Sequence, residues 1–129
     1  MNRKKLKRPT DAELTILEVL WERGPSSVRE VHKVLNPIRP RAHTTTLKQM
    51  QVMTAKGLLV RDESRRPQVY RPAREDHQTR QQLVDHLIEG AFGGSACKLV
   101  MQALGSRDVS SQELSQIEQL LEKLEGSRE

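Results

Sequence analysis

Aromatic side chains are almost missing from this chain of 129 residues: Trp21, Tyr70 and Phe92 are its only three. A protein that binds single-stranded nucleic acid stacks successive bases on aromatic rings, so that class is disfavoured. A generous small-molecule pocket is disfavoured for a related reason. Cysteine occurs once, as Cys97, which excludes an internal disulfide and any cysteine-only metal cluster. No apolar run approaches the length of a membrane span. Behind Met1 stand Asn2-Arg3-Lys4-Lys5-Leu6-Lys7-Arg8, with no apolar stretch after them, so no signal peptide is expected and the compartment is read as cytoplasmic.

What is present is charge, unevenly placed. Charged residues make up 30% of the chain and apolar ones 35%, enough for one modest core of about 60–70 residues but hardly for two. Through Arg74 there are 17 Lys and Arg against 7 Asp and Glu; from Glu75 there are 5 against 10. The net +5 therefore divides into +10 and −5, and such an asymmetry suggests two jobs. A polyanion would sit on the basic half, because each Lys or Arg that neutralises a phosphate releases condensed counterion. The plainer alternative is a solvated basic surface.

Capping signals mark the helices. Thr10-Asp11-Ala12-Glu13 has capping-box spacing, and Leu14, Leu17, Leu20 and Trp21 follow at helical intervals until Gly24-Pro25, which predicts a first helix over 10–23. Ser27-Val28-Arg29-Glu30 repeats the spacing, and Val28, Val31, Val34 and Leu35 form the stripe of a short second helix that Asn36-Pro37 stops. Pro37-Ile38-Arg39-Pro40-Arg41 is basic and cannot be helical. A third helix runs from Ala42 to Lys56 and ends at Gly57. Its apolar face is thin, with Leu47, Met50 and Met53 and with Thr46 in line, and its other face carries Thr44, Thr45, Lys48, Gln51 and Val52. No acid occurs between Ala42 and Lys56, as a helix lying against phosphates requires.

Leu58–Arg61 and Gln68–Arg71 are rich in strand formers and read as a hairpin, with Arg65 and Arg66 near its tip. Three helices followed by a two-stranded ribbon is the order of a winged helix-turn-helix. Beyond Pro72 three more helices are predicted: about 75–91, with Leu83, Leu87 and Ile88 on one face; one opened by Ser95, with Ala96, Leu99, Val100, Ala103 and Leu104 inward; and one after the box Ser110-Ser111-Gln112-Glu113, with Leu114, Ile117, Leu120, Leu121 and Leu124. Gly93-Gly94 separates the first two, and the tail from Gly126 is expected to fray. The fold class is thus mainly α with a small β-hairpin, residues 1–74 forming a winged-helix DNA-binding domain and 75–129 a helical dimerisation domain.

In such a motif the third helix enters the major groove and its first residues meet base edges. Thr44 and Thr45 offer hydroxyls and methyls, Lys48 reaches a guanine or a phosphate, and Gln51, two turns in, can pair with adenine. Arg39 and Arg41 are candidate phosphate contacts, and Arg65 and Arg66 meet the backbone or the minor groove. Taken singly, each threonine is equally an ordinary helix-start residue, and the two wing arginines are equally a charged tip that keeps a sheet edge soluble. The constellation, more than any member, points to duplex DNA.

These segments resemble a known family. Pro9-Thr10-Asp11-Ala12-Glu13-Leu14 with Val19-Leu20-Trp21, Ala42-His43-Thr44-Thr45-Thr46-Leu47, Lys56-Gly57-Leu58-Leu59, Val69-Tyr70-Arg71-Pro72 and Gly93-Gly94-Ser95 are similar, in order and spacing, to the penicillinase and methicillin-resistance repressors, the BlaI/MecI family. The similarity runs from about Pro9 to Leu124. It implies a homodimeric repressor of antibiotic-resistance or stress genes on a two-fold-symmetric operator, with interlocked C-terminal helices. In the best-known members a membrane sensor protease triggers cleavage at an Asn-Phe bond in the fifth helix; aligned on Gly93-Gly94-Ser95, that bond falls at Gln102-Ala103, which does not match. Copper-responsive relatives carry C-terminal cysteine clusters, whereas Cys97 stands alone and reads as a small, half-buried residue beside Leu99 and Val100.

The C-terminal helices have too few apolar residues to enclose a core of their own, so a second copy is expected to cover them. The alternative is an arm that folds back on its own winged helix. His77 and His86, nine residues apart, are poorly spaced for a metal, and no metal or other cofactor is expected. No Cys/His pairing, phosphate loop or carboxylate dyad supports an enzyme. Two other functions stay open: a winged helix used for protein–protein contact, and a regulator released by a small ligand.

Overall fold

The computed structural model describes residues 8–128; the basic run before Arg8 and the last residue, Glu129, lie outside them. The elements in order are α1 (Asp11–Arg23), α2 (Val28–Leu35), α3 (His43–Ala55), β1 (Leu59–Asp62), β2 (Val69–Pro72), α4 (Asp76–Ala91), α5 (Ala96–Gly105) and α6 (Ser111–Ser127). This is a winged helix followed by three further helices.

The helices begin where their caps dictate. Thr10 and Ser27 form complete capping boxes with Glu13 and Glu30, each hydroxyl accepting from the N3 amide while the glutamate accepts from the cap amide. Ser95 and Ser110 accept from Lys98 and Glu113 N–H, so the predicted box at Ser110 is present in its hydroxyl half. The expected fraying from Gly126 is not seen: α6 continues to Ser127. Gly57 takes φ +86°, a conformation that strains any L side chain, and turns the chain from α3 into β1.

Both predicted strands are displaced by one residue. β1 and β2 pair antiparallel, with Leu59 opposite Pro72 and Asp62 opposite Val69. Leu58 is only half-buried, while Leu59 is 2% exposed, so the strand starts where the side chain enters the core. Ser26 adds a bridge to Tyr70: Ser26 N–H donates to Tyr70 O at 3.0 Å, and Tyr70 N–H donates to Ser26 O at 2.8 Å. The hairpin is thereby tied to the start of α2.

The core contains Ile16, Leu17, Val19 and Leu20 of α1, Val28, Val31 and Leu35 of α2, Met50 and Met53 of α3, and Leu59 and Tyr70 of the hairpin. On α3 the sequence placed Leu47 inward and Thr46 merely in line; the structure reverses this, with Thr46 fully buried and Leu47 half-buried. Thr46, Met50 and Met53 follow the i, i+4, i+7 row of one face. The buried hydroxyl is tolerable because Thr46 Oγ1 and His32 Nδ1 share a 2.9 Å hydrogen bond that joins α2 to α3. The His32 ring in turn meets His43 edge-to-face at 5.3 Å. At the other end of α3, Lys56 Nζ lies 2.7 Å from Glu13 Oε2, and this pair links α3 to the capping box of α1.

Contacts divide the chain into two compact units that meet within α4, one up to Val84 and one from Asp85 on. In the first, the start of α4 is docked: Trp21 Nε1 donates to Arg74 O at 3.1 Å, the Arg80 guanidinium sits 5.5 Å from the Trp21 ring centre, and Thr79 is buried. In the second, no side chain is buried among the described residues. Leu83 (at the end of the first unit), Ile88, Leu99, Leu104 and Ile117 are half-buried, whereas Leu87, Val100, Leu114, Leu120, Leu121 and Leu124 are exposed. Ala96 and Ala103, expected inward, are exposed too. Cys97, expected to be half-buried, is exposed.

Three outcomes follow from this packing. Met50→Ala should lower the unfolding free energy by about 2–5 kcal/mol in urea titrations, since truncating a fully buried side chain leaves a cavity. His32→Ala should cost about 1–3 kcal/mol by stranding the Thr46 hydroxyl, and adding Thr46→Val should restore much of it; an unchanged midpoint for the single variant would reject the clamp. Burial raises the Glu13 pKa, but hydrogen bonds from Lys56 and Thr10 and the Lys56 charge outweigh it, leaving the carboxyl below its ordinary 4.5. A folded-state value below the unfolded one gives stability that is present above the unfolded value and lost as pH falls through the folded one. Lys56→Met should therefore destabilise more at neutral pH than in acid, and a penalty independent of pH would contradict the pairing.

Candidate nucleic-acid interface

Because α3 buries Thr46, Met50 and Met53, the helical period turns Thr44, Thr45, Lys48, Gln51 and Val52 outward together, and all five are exposed. Among the described residues no side-chain hydrogen bond holds the first four. The cap position of α3 is Ala42, which supplies no side-chain bond. Alone among the three helices of the first unit with a described cap, α3 thus leaves its leading N–H groups unclaimed by a side chain. No acid lies in its first turn.

Arg39 and Arg41 part company in the structure. Arg39 is exposed, whereas Arg41 is half-buried and its guanidinium donates to Gln49 Oε1 and, at 3.3 Å, to Arg39 O. Asn36 Oδ1 accepts from Arg41 N–H at 3.0 Å. Arg41 therefore fastens the turn onto α3, with fewer donors left to face outward.

The hairpin tip is basic for a local reason as well as a compositional one. Its carboxylates are occupied by near neighbours: Asp62 accepts from the Ser64 hydroxyl and amide, and Glu63 accepts from Arg61 at 2.6 Å. The Ser64 hydroxyl bond, then its amide, holds the Asp62 carboxyl below its ordinary range, with Arg65 and Arg71 adding to the effect. Glu30 is likewise lowered, first by the Ser27 amide, with the charges of Arg23 and Arg65 contributing. Arg65 and Arg66 are both exposed, and Arg66 is steadied by donating from Nη1 to Glu63 O at 3.0 Å.

Between the hairpin and the helices lies an open cleft of about 700 Å³. Ser27, Val28, Leu47 and Tyr70 form its buried and half-buried floor. Its sides carry Arg29 from α2, His43 from α3 and Arg66 and Gln68 from the hairpin. Of these, only Arg66 stood out in the sequence. Arg29 looked like an ordinary solvated charge on the first turn of α2, and no local signal links it to a residue 37 positions later; the Ser26–Tyr70 bridge does that. His43 was visible only as part of the Ala42–Leu47 motif. Among the described residues no group of His, Cys, Asp and Glu is placed to hold a metal, and no helix is long and apolar enough to cross a membrane.

The chain can be compared with known proteins on this footing. The family profile described as penicillinase repressor matches residues 9–123. The chain is 32% identical over 93 residues to the transcriptional regulator BlaI of Mycobacterium tuberculosis, in each of two strains, an alignment that covers 70% of this chain and 67% of the relative. It is also 23% identical over 120 residues to the penicillinase repressor of Bacillus licheniformis, covering 93% of this chain and 94% of that one. These relatives bear the names of regulators rather than of enzymes. With a winged helix in place and a family match over nearly all its length, the chain belongs to the penicillinase repressor family of transcriptional regulators.

Proposed function

We propose that this protein represses transcription by binding double-stranded operator DNA sequence-specifically as a homodimer, α3 lying in the major groove. One observation carries the reading: the outward face of α3 gathers Thr44, Thr45, Lys48 and Gln51, exposed and without internal bonds, on a helix free of acids. Thr44 and Thr45 meet base edges with hydroxyl and methyl, Lys48 meets a guanine or a phosphate, and Gln51 an adenine. Arg39, Arg65 and Arg66 meet the backbone, and Arg41 holds the turn in register. By analogy with the names of its relatives, the regulated genes concern antibiotic resistance or stress, and the site of action is the cytoplasm.

Residues 75–129 form the dimerisation part, beyond the winged helix of residues 1–74. The support is the unburied stripe of Leu87, Val100, Leu114, Leu120, Leu121 and Leu124, flanked by half-buried Leu83, Ile88, Leu99, Leu104 and Ile117. So many exposed large apolar side chains are costly in water, and a second copy with the same stripe covers both at once. A two-fold dimer then sets two copies of α3 about one DNA turn apart. Gln102 and Ala103 are exposed on α5, but the pair is not Asn-Phe, so induction by the family's proteolytic cut is not part of this proposal.

Gel shifts with duplex from the protein's own promoter region should show retardation whose log–log salt slope is about −0.9 per neutralised phosphate. No retarded duplex at moderate salt would instead favour a protein–protein module. Lys48→Ala should cost on the order of 1–3 kcal/mol on the promoter duplex if it reads a base, and equal loss on unrelated duplex would reduce it to a phosphate contact. Leu121→Glu should convert a dimer to monomer in sedimentation equilibrium and weaken DNA binding with it; a wild type that sediments as a monomer would remove the dimer from the proposal.

A further inference from the structure

We infer that Val52 reads thymine: its methyl groups meet the C5-methyl of a thymine in the major groove, one such base in each half of the operator. The inference rests on the DNA-binding reading above. It adds a residue that selects sequence by apolar contact instead of by hydrogen bonding.

Val52 is an odd choice for its position. It lies in the second half of α3, is 45% exposed, and is not among the apolar side chains packed against the core. A β-branched side chain there loses rotamer freedom against the preceding turn, and its apolar surface is left in water. Single exposed valines are common on protein surfaces, but this one stands inside a face whose other members are polar. Thr45, Lys48 and Val52 follow the i, i+3, i+7 row of the helix, turned away from buried Thr46, Met50 and Met53. Gln51 is exposed beside them. A rise of about 1.5 Å per residue places Val52 about 10 Å beyond Thr45, the length of about three base-pair steps. A helix that meets bases at Thr45 and Lys48 while lying along the groove thus brings Val52 over a further pair.

The major groove offers such a side chain one partner. Every base pair presents donors and acceptors there, and the one apolar group among them is the thymine C5-methyl. Over cytosine the same valine would cover the N4 amino group and leave it without an acceptor, which is costly. Attraction to one pyrimidine and exclusion of the other therefore act in the same direction.

The test is fluorescence anisotropy with the full chain and its Val52→Ala and Val52→Ile variants. The probes are duplex from the protein's own promoter region, unrelated duplex, and promoter copies in which each thymine of the nuclease-protected segment is replaced in turn by deoxyuridine. Deoxyuridine keeps the base pair and the O4 acceptor and removes only the methyl. At one thymine of each half-site the wild type should lose about three- to five-fold in affinity, the equivalent of one methylene-sized group kept from water. Val52→Ala should lose that response and leave the response at every other thymine unchanged, whereas Val52→Ile should keep it. Because Val52 is exposed, both variants should unfold at the wild-type urea concentration. If the wild type binds duplex yet responds to no deoxyuridine, or if Val52→Ala keeps the wild-type response at every thymine, the inference is overturned and the DNA-binding proposal stands without it. A common factor of loss on promoter and unrelated duplex would overturn it equally, since the valine would then touch only the sugar–phosphate strand. If the wild type binds no duplex, both proposals fall together.

Discussion

Two backbone hydrogen bonds between Ser26 and Tyr70 hold the arrangement of the winged helix together. A hairpin of two four-residue strands is marginal by itself in water. The bridge gives it a third, one-residue strand, and the same residue buries the Tyr70 ring against the helices. That placement closes the core from the hairpin side and puts Arg66 on a cleft that Arg29 also lines. The cleft lined from both α2 and the hairpin lies beside this contact between residues 44 positions apart in the chain.

Electrostatics are organised with comparable economy. The winged helix is not free of acids; it spends them locally. Glu13 and Glu30 close capping boxes, Asp62 binds Ser64, and Glu63 binds Arg61. These four carboxylates are bonded within a few residues of themselves, Glu13 reaching Lys56 as well, and none of the other acids of the winged helix lies on α3 or the hairpin, so cations set the field of that surface. On α3 the same result is reached by omission, with no acid from His43 to Ala55. The C-terminal helices reverse the balance: they are net acidic and display leucines, a surface suited to another protein surface more than to phosphate.

Much of this was legible in the sequence, and the exceptions have physical causes. Thr10 and Ser27 announce α1 and α2 because a cap acts over three residues. The strand positions came out one residue early, since propensity cannot tell which of Leu58 and Leu59 faces the core. The exchange of Thr46 and Leu47 had the same origin: a buried threonine is acceptable only beside a partner, and His32 lies 14 residues away on another helix. Cys97 was expected to be half-buried from its apolar neighbours, yet it is exposed, since apolar neighbours in sequence do not decide which face of a helix is covered. Of the proposed DNA-facing residues, Thr44, Thr45, Lys48 and Gln51 share one face because the helical period requires it. Arg29 escaped notice because its significance comes only from what folds across from it.

The sequence by itself determined the helices, their caps, the absence of acid along α3, the split in charge and the family. All of these depend on interactions within a few residues or on composition. Tertiary structure alone decided that Thr46 is the buried position, that Arg41 binds Gln49, and that Arg29 and Arg66 line one cleft. Those outcomes require residues from different elements to meet, and only the packing of α1, α2, α3 and the hairpin around one small core brings them together.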